Sequence, residues 1–194
     1  MILFYAFLLA LVWGLVGGGQ LSRLQSFSVR GYGLALAAFV MQVITIYLPL
    51  PDVGNNLIRI ALLFITYVML AVFLWWNLRL PGMWLIALGF VANWVVILAN
   101  GGHMPITYEA VVAAGLGRAV ANADAGTLVF GSKDILLPFE QTQLGFLSDI
   151  FVIPPPFPIP SVFSMGDFLI ALGMFWLVPG ALGARTGAPI RTHS

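Results

Sequence analysis

Asn100-Gly101-Gly102-His103-Met104-Pro105 opens, and Pro154-Pro155-Pro156-Phe157-Pro158-Ile159-Pro160 closes, the one long stretch of this chain that does not read as a membrane span. On either side of residues 101–162 lie apolar runs divided by short turns, so the reading of this segment decides the architecture. It holds Glu109, Asp124, Asp134, Glu140 and Asp149, most of the acidic residues, and one of the two histidines. A functional site is expected here, or where the segment meets the helix ends.

Composition sets the class. The chain is 61% hydrophobic and 8% charged, whereas soluble domains are roughly 25% charged. So few charges do not cover a water-facing surface, and the composition implies an integral membrane protein. A net charge of +1 gives no basis for nucleic-acid binding. The absence of cysteine excludes disulfides, thiolate nucleophiles and thiolate metal sites. Met1-Ile2-Leu3-Phe4 lacks the basic start of a secretory signal and no small-x-small cleavage site follows, so the first run reads as a retained span.

The expected fold is all-α, a single membrane domain over residues 1–194 with five transmembrane helices and a partly helical outer-face segment between the fourth and fifth. The spans fall at about residues 2–18, 32–49, 57–76, 83–99 and 163–181, near the roughly 17–25 residues that cross a bilayer. Gly17-Gly18-Gly19 stops the first. Pro49 and Pro51 end the second, because proline lacks the amide a continuing helix needs. Pro51-Asp52-Val53-Gly54-Asn55-Asn56 and Asn77–Gly82 are turns. A polar tail, 184–194, carries Arg185, Arg191 and His193.

Loop charge gives the orientation. The first loop, the third loop and the tail contain Arg23, Arg30, Arg79, Arg185 and Arg191 and no acidic residue. The other side has Asp52, Glu109, Asp124, Asp134, Glu140 and Asp149 against Arg59, Arg118 and Lys133. The excess of arginine places the tail in the cytoplasm, the N-terminus outside and residues 101–162 on the outer face of the inner membrane. Trp75, Trp76 and Trp84 fall at the inner boundary, as an aromatic belt does.

Within the segment, Thr107 is placed to cap a helix running to about Asn122, with Glu109 in its first turn. A second helical piece is expected over about Phe139–Phe151, and an extended conformation for the proline run.

The candidate sites each have a structural and a functional reading. Ser164-Met165-Gly166-Asp167 fits a capping box, the favoured reading, or a boundary carboxylate for a proton, cation or arginine. His103, in the Asn100–Pro105 stretch with Met104, lies in a glycine-rich helix stop, again the favoured reading, or ligates a metal or pigment ion. With His193 expected on the opposite face, a zinc site of ordinary composition is disfavoured. Asp149 and Glu140 are outer carboxylates available to Arg118 or Lys133. Acid–base work needs two carboxylates converging on one pocket. Gln42, Thr45, Thr66 and Asn93 read as interhelical hydrogen-bonding residues. No charge sits at mid-span, which argues against a proton pump or charge-driven transporter.

Gly17-Gly18-Gly19-Gln20-Leu21 with a following arginine, Gln42, Asn100-Gly101-Gly102-x-Met104-Pro105, Leu147-Ser148-Asp149-Ile150 and Ser164-x-Gly166-Asp167 together resemble a bacterial family of small five-span membrane proteins, a domain of unknown function. The resemblance covers nearly the whole chain. It departs at Ser148, where the pattern implies glycine, and in the long proline run. It implies the five-helix fold and leaves the function open. Because the sequence shows no nucleophile–base set, no metal cluster and no mid-membrane charge, the expected function is a non-catalytic accessory or structural subunit of a larger membrane complex, in contact with membrane lipid and other membrane subunits. Lipid, quinone, carotenoid or a chlorophyll-type pigment is the class of ligand that suits its aromatic spans. The alternatives are a small-molecule binder or sensor, and an intramembrane enzyme acting on lipid or prenyl substrates.

Overall fold

The computed structural model describes residues 2–47, 55–129 and 134–185. The expected terminators Pro49 and Pro51, Asp52, Lys133 and the tail from residue 186, with Arg191 and His193, lie outside the described residues. Five long helices form the body: α1 (Ile2–Val16), α2 (Tyr32–Tyr47), α3 (Asn55–Asn77), α4 (Met83–Ala99) and α6 (Met165–Ala181). Between α4 and α6 come β1 (Met104–Ile106), α5 (Tyr108–Ala113), β2 (Asp134–Leu136), β3 (Phe151–Ile153) and β4 (Ser161–Phe163).

One helix stretch, Leu57–Asn77, is long and apolar enough to cross a membrane, and Ile2–Val16, Tyr32–Thr45, Met83–Ala99 and Met165–Ala181 are shorter apolar helices. At about 1.5 Å per residue, α4 and α6 are each roughly 26 Å long. The outward faces of all five are apolar, with Phe4, Phe39, Phe64, Leu88 and Phe168 among the exposed side chains.

The helices neighbour one another in the order α2, α3, α4, α6, α1. Small residues hold the tightest seam, between antiparallel α4 and α6. Gly82 faces Gly173 and Gly89 faces Gly166, each pair seven residues from the next. A Cβ on Gly89 would collide with Gly166 O, and one on Gly173 would come within 2.7 Å of Gly82 O. Such close approach of two backbones is what glycine permits in membrane helix pairs. Across α3 and α4 the packing is aromatic: Tyr67 stacks on Trp94 with centroids 6.1 Å apart, and Phe90 lies 5.6 Å from Tyr67. Leu63, Leu74, Met83, Val96, Ile97 and Met104 complete that core.

α1 and α2, consecutive in the chain, pack at opposite edges of this row. The stretch between them therefore crosses one end of the body, anchored on both sides. Gln20 N donates to Leu182 O at 2.9 Å and Arg185 N to Gly17 O at 3.2 Å, so Gly17-Gly18-Gly19 docks on the end of α6 as well as stopping α1. At the far side Asn77 grips Arg30: Arg30 N donates to Asn77 Oδ1 at 2.9 Å, and Asn77 Nδ2 donates to Arg30 O at 2.8 Å. This end carries Arg23, Arg30, Arg79 and Arg185, all exposed. It also carries five of the six tryptophans, Trp13, Trp75, Trp76, Trp84 and Trp176, each exposed.

The opposite end is capped by the segment after α4, and here the all-α expectation is corrected. β1 pairs in parallel with β2, Pro105 opposite Ile135. β3 pairs antiparallel with β4, Val152 opposite Val162, with the Phe151 and Phe163 rings stacked at 5.5 Å. Ile106, Val111, Val120 and Leu136 form a small core of the cap's own. The helix expected to Asn122 ends at Ala113, because Gly115 takes φ +74°, the left-handed region that glycine favours. Thr107 does cap it, accepting from Ala110 N at 3.2 Å. The second expected helix is replaced by two single 3-10 turns, Phe139–Gln141 and Gly145–Leu147. Leu144, between them, sits at φ +55° and interrupts any helix there. The proline run is not extended: it turns back between β3 and β4, with Phe157 N donating to Pro154 O at 3.3 Å.

Candidate functional site

The sequence-singled residues gather where the cap meets α4 and α6. Asn93 stands on α4 facing the start of α6. Ser164 caps α6: its Oγ accepts from Asp167 N at 3.0 Å, and Asp167 Oδ2 accepts from Ser164 N at 3.4 Å, the capping box read from the sequence. Asn93 then ties the box to α4. Its Nδ2 donates to Asp167 Oδ1 at 2.9 Å, and its Oδ1 accepts from Ser164 Oγ at 2.8 Å. Ser164 and Asn93 are buried, so this small ring of bonds satisfies groups that would be costly unpaired. Gly166 has to be glycine, since a Cβ there would overlap Asn93 Oδ1.

Asn100 ends α4 and clamps the cap. Its Nδ2 donates to Val96 O and to Gln143 O, at 2.8 and 2.9 Å, and its Oδ1 accepts from Gln143 N at 2.9 Å. Gly101 and Gly102, both at positive φ, then turn the chain inward. Met104 follows, 1% exposed, in the aromatic core beneath the cap.

His103 and Asp149 come in on neighbouring stretches. Asp149 N donates to Pro105 O at 3.2 Å, and Asp149 bridges in parallel to Ile106, three residues after His103. Each is 8% exposed, and each engages a partner within the protein. Asp149 is therefore a buried carboxylate within the cap. Beside it Ser148, also buried, donates from Oγ to Gly145 O at 2.7 Å. Glu140 and Arg118 are exposed. Among the described residues no group of three or more His, Asp or Glu side chains is placed to hold a metal ion.

In the body, Gln42 Nε2 donates to Thr66 Oγ1 across α2 and α3 at 3.1 Å, as expected of interhelical polar residues. Thr45 differs: its hydroxyl donates to Met41 O of its own helix, a local bond that a Thr in an apolar helix makes readily. Sequence reasoning missed Asn77, which is buried and grips a backbone 47 residues away. It also missed the glycine pairs. Their signal was present in the seven-residue spacing of Gly82 with Gly89 and of Gly166 with Gly173, on helices of opposite direction.

An uncharacterized protein of Thermotoga maritima is 27% identical over 175 residues, covering 87% of this chain and 85% of that protein. No solved structure matches the chain. A family model described as "Family of unknown function (DUF5317)" matches residues 26–179, from just before α2 into the last turn of α6. The chain belongs to this DUF5317 family, in keeping with the resemblance read from its motifs.

Proposed function

We propose that this is a non-catalytic, multi-pass protein of the bacterial inner membrane that serves as a structural or accessory subunit of a larger membrane complex. One observation carries the reading. The polar side chains Asn93 within α4 and Asn100, Ser164 and Asp167 at the helix ends bond within the protein, while large apolar side chains face outward along every long helix. An exposed apolar surface of this extent marks contact with lipid or with other membrane chains. All five helices span in this reading, the four shorter ones being matched to the bilayer by local thinning. The arginine end faces the cytoplasm and the cap faces outward. Membrane lipid and other membrane subunits are its partners, and quinone, carotenoid or chlorophyll-type pigment are ligands suited to its aromatic faces.

The test is native purification: mild solubilisation, capture of the intact chain, mass spectrometry and an absorption spectrum. Stoichiometric co-purifying membrane subunits are the expected result. Recovery of a bare monomer with lipid alone would overturn the subunit reading.

A second reading, a small-molecule binder or sensor at the outer end, is favoured by the burial of His103 and Asp149 on adjoining stretches of the cap. It expects His103→Ala and Asp149→Asn to abolish ligand binding in a protein that still inserts. Unchanged binding in both variants would remove it.

A further inference from the structure

We infer that the arginine end binds the phosphate of an anionic phospholipid, an inference that rests on the membrane reading above. Charge is unevenly divided between the two ends. Arg23, Arg30, Arg79 and Arg185 are all exposed at this end. The acidic residues among the described ones, Glu109, Asp124, Asp134, Glu140, Asp149 and Asp167, belong to the cap or to the first turn of α6 at the opposite end.

The fold then gathers the arginines in two corners. In one, the Arg23 side chain lies over Gly183, where a Cβ would meet its guanidinium, and Gly183 is two residues before Arg185. Arg185 itself is fixed by its backbone bond to Gly17. In the other, the Asn77 clamp holds Arg30 beside the turn that carries Arg79. Like charges held together on fixed backbone, with no described carboxylate at that end, call for an anion from outside. The anion also has to lie at bilayer depth. The five exposed tryptophans at this end mark the headgroup level, and the Trp76 ring packs on Gly31, next to Arg30. A lipid phosphate meets both conditions, and guanidinium groups suit it through paired N–H donors.

The same tryptophans supply the readout. The full chain is reconstituted in phosphatidylcholine vesicles containing a minor fraction of either brominated phosphatidylglycerol or brominated phosphatidylcholine, and quenching of tryptophan fluorescence is compared. The inference expects stronger quenching by the anionic lipid, a preference that weakens with added salt. An Arg23→Gln, Arg185→Gln double variant should lose about fivefold in preference per arginine removed, while Arg59→Gln, at the other end, leaves it unchanged. Equal quenching by the two lipids in an inserted wild-type protein would overturn the lipid inference and leave the membrane reading standing. Abolition of the preference by inorganic phosphate, where chloride at the same ionic strength leaves it in place, would assign the corner to a soluble anion and overturn it too. Failure of the protein to insert in the vesicles would overturn the membrane reading itself.

Discussion

The two ends of this molecule solve the same problem in different ways. At the arginine end the stretch that crosses from α1 to α2 is held on one side by backbone bonds to the end of α6, and on the other by one asparagine, Asn77, which grips the backbone of Arg30. At the cap end the chain leaves α4, builds two strand pairs and a small core of its own, and returns to α6. Again one asparagine, Asn100, grips a distant backbone, that of Gln143. The clamps are alike in chemistry and differ in surroundings. Asn77 is 3% exposed, whereas the Asn100–Gln143 bonds face solvent. Between the ends runs the glycine seam of α4 and α6. The body is thus held by close backbone contact and buried polar bonds, while the cap is a semi-independent layer laid over it.

Four substitutions probe the body. The largest effect is expected from Gly166→Val, which drives a branched side chain into Asn93 and the backbone of Gly89. Overpacking of this kind costs about 3 kcal/mol, and denaturant titration in detergent should show both ends of the molecule losing structure together. Gly33→Ala is its counterpart: nothing lies within 4 Å of the new methyl group, and a gain of up to about 1 kcal/mol is expected from helix propensity. Next comes Asn77→Ala, which strands the buried side of the Arg30 clamp and should cost about 2 kcal/mol. Ser164→Ala removes the α6 cap and leaves Asn93 Oδ1 without its donor, for a loss of about 1.5 kcal/mol. If Ser164→Ala proved as damaging as Gly166→Val, the polar ring and not the glycine seam would be the principal tie between α4 and α6.

What was legible in the sequence follows the same division. Long apolar runs announce helices because the signal accumulates over fifteen residues or more, and α1, α3, α4 and α6 lie within a few residues of their expected limits. The capping box at Ser164 was legible because its partners are three residues apart. The strands were not: each has three residues, too few to show alternation, and Met104 pairs with Asp134 thirty positions on. Val111, Val112, Leu116 and Val120 continue a weak apolar periodicity past Gly115 and Gly117, which masks the stop of α5 at Ala113. Asn77 and Asn100 look alike in the sequence, an asparagine after an apolar run. Only the fold shows that each reaches a backbone more than forty residues away.

The smallest expected effect is the one that separates the two ends most directly. Asn100→Ala removes the donor to Gln143 O and the acceptor for Gln143 N, just before Leu144 with its φ of +55°. Because water reaches these bonds, their loss should cost about 1 kcal/mol or less of global stability. The local consequence should be larger. The clamp holds the chain at the entry to a strained residue, and without it the 139–147 turns open more often. Amide hydrogen exchange should then quicken across residues 139–147 and stay unchanged in α4 and α6, since openings confined to one layer do not need the body to unfold. The same experiment on Asn77→Ala should quicken exchange in the crossing stretch and at the adjoining end of α3 together, because that clamp is buried in the body. If Asn100→Ala instead speeds exchange throughout α4, the cap is an integral part of the helical core, and the two ends differ in appearance only.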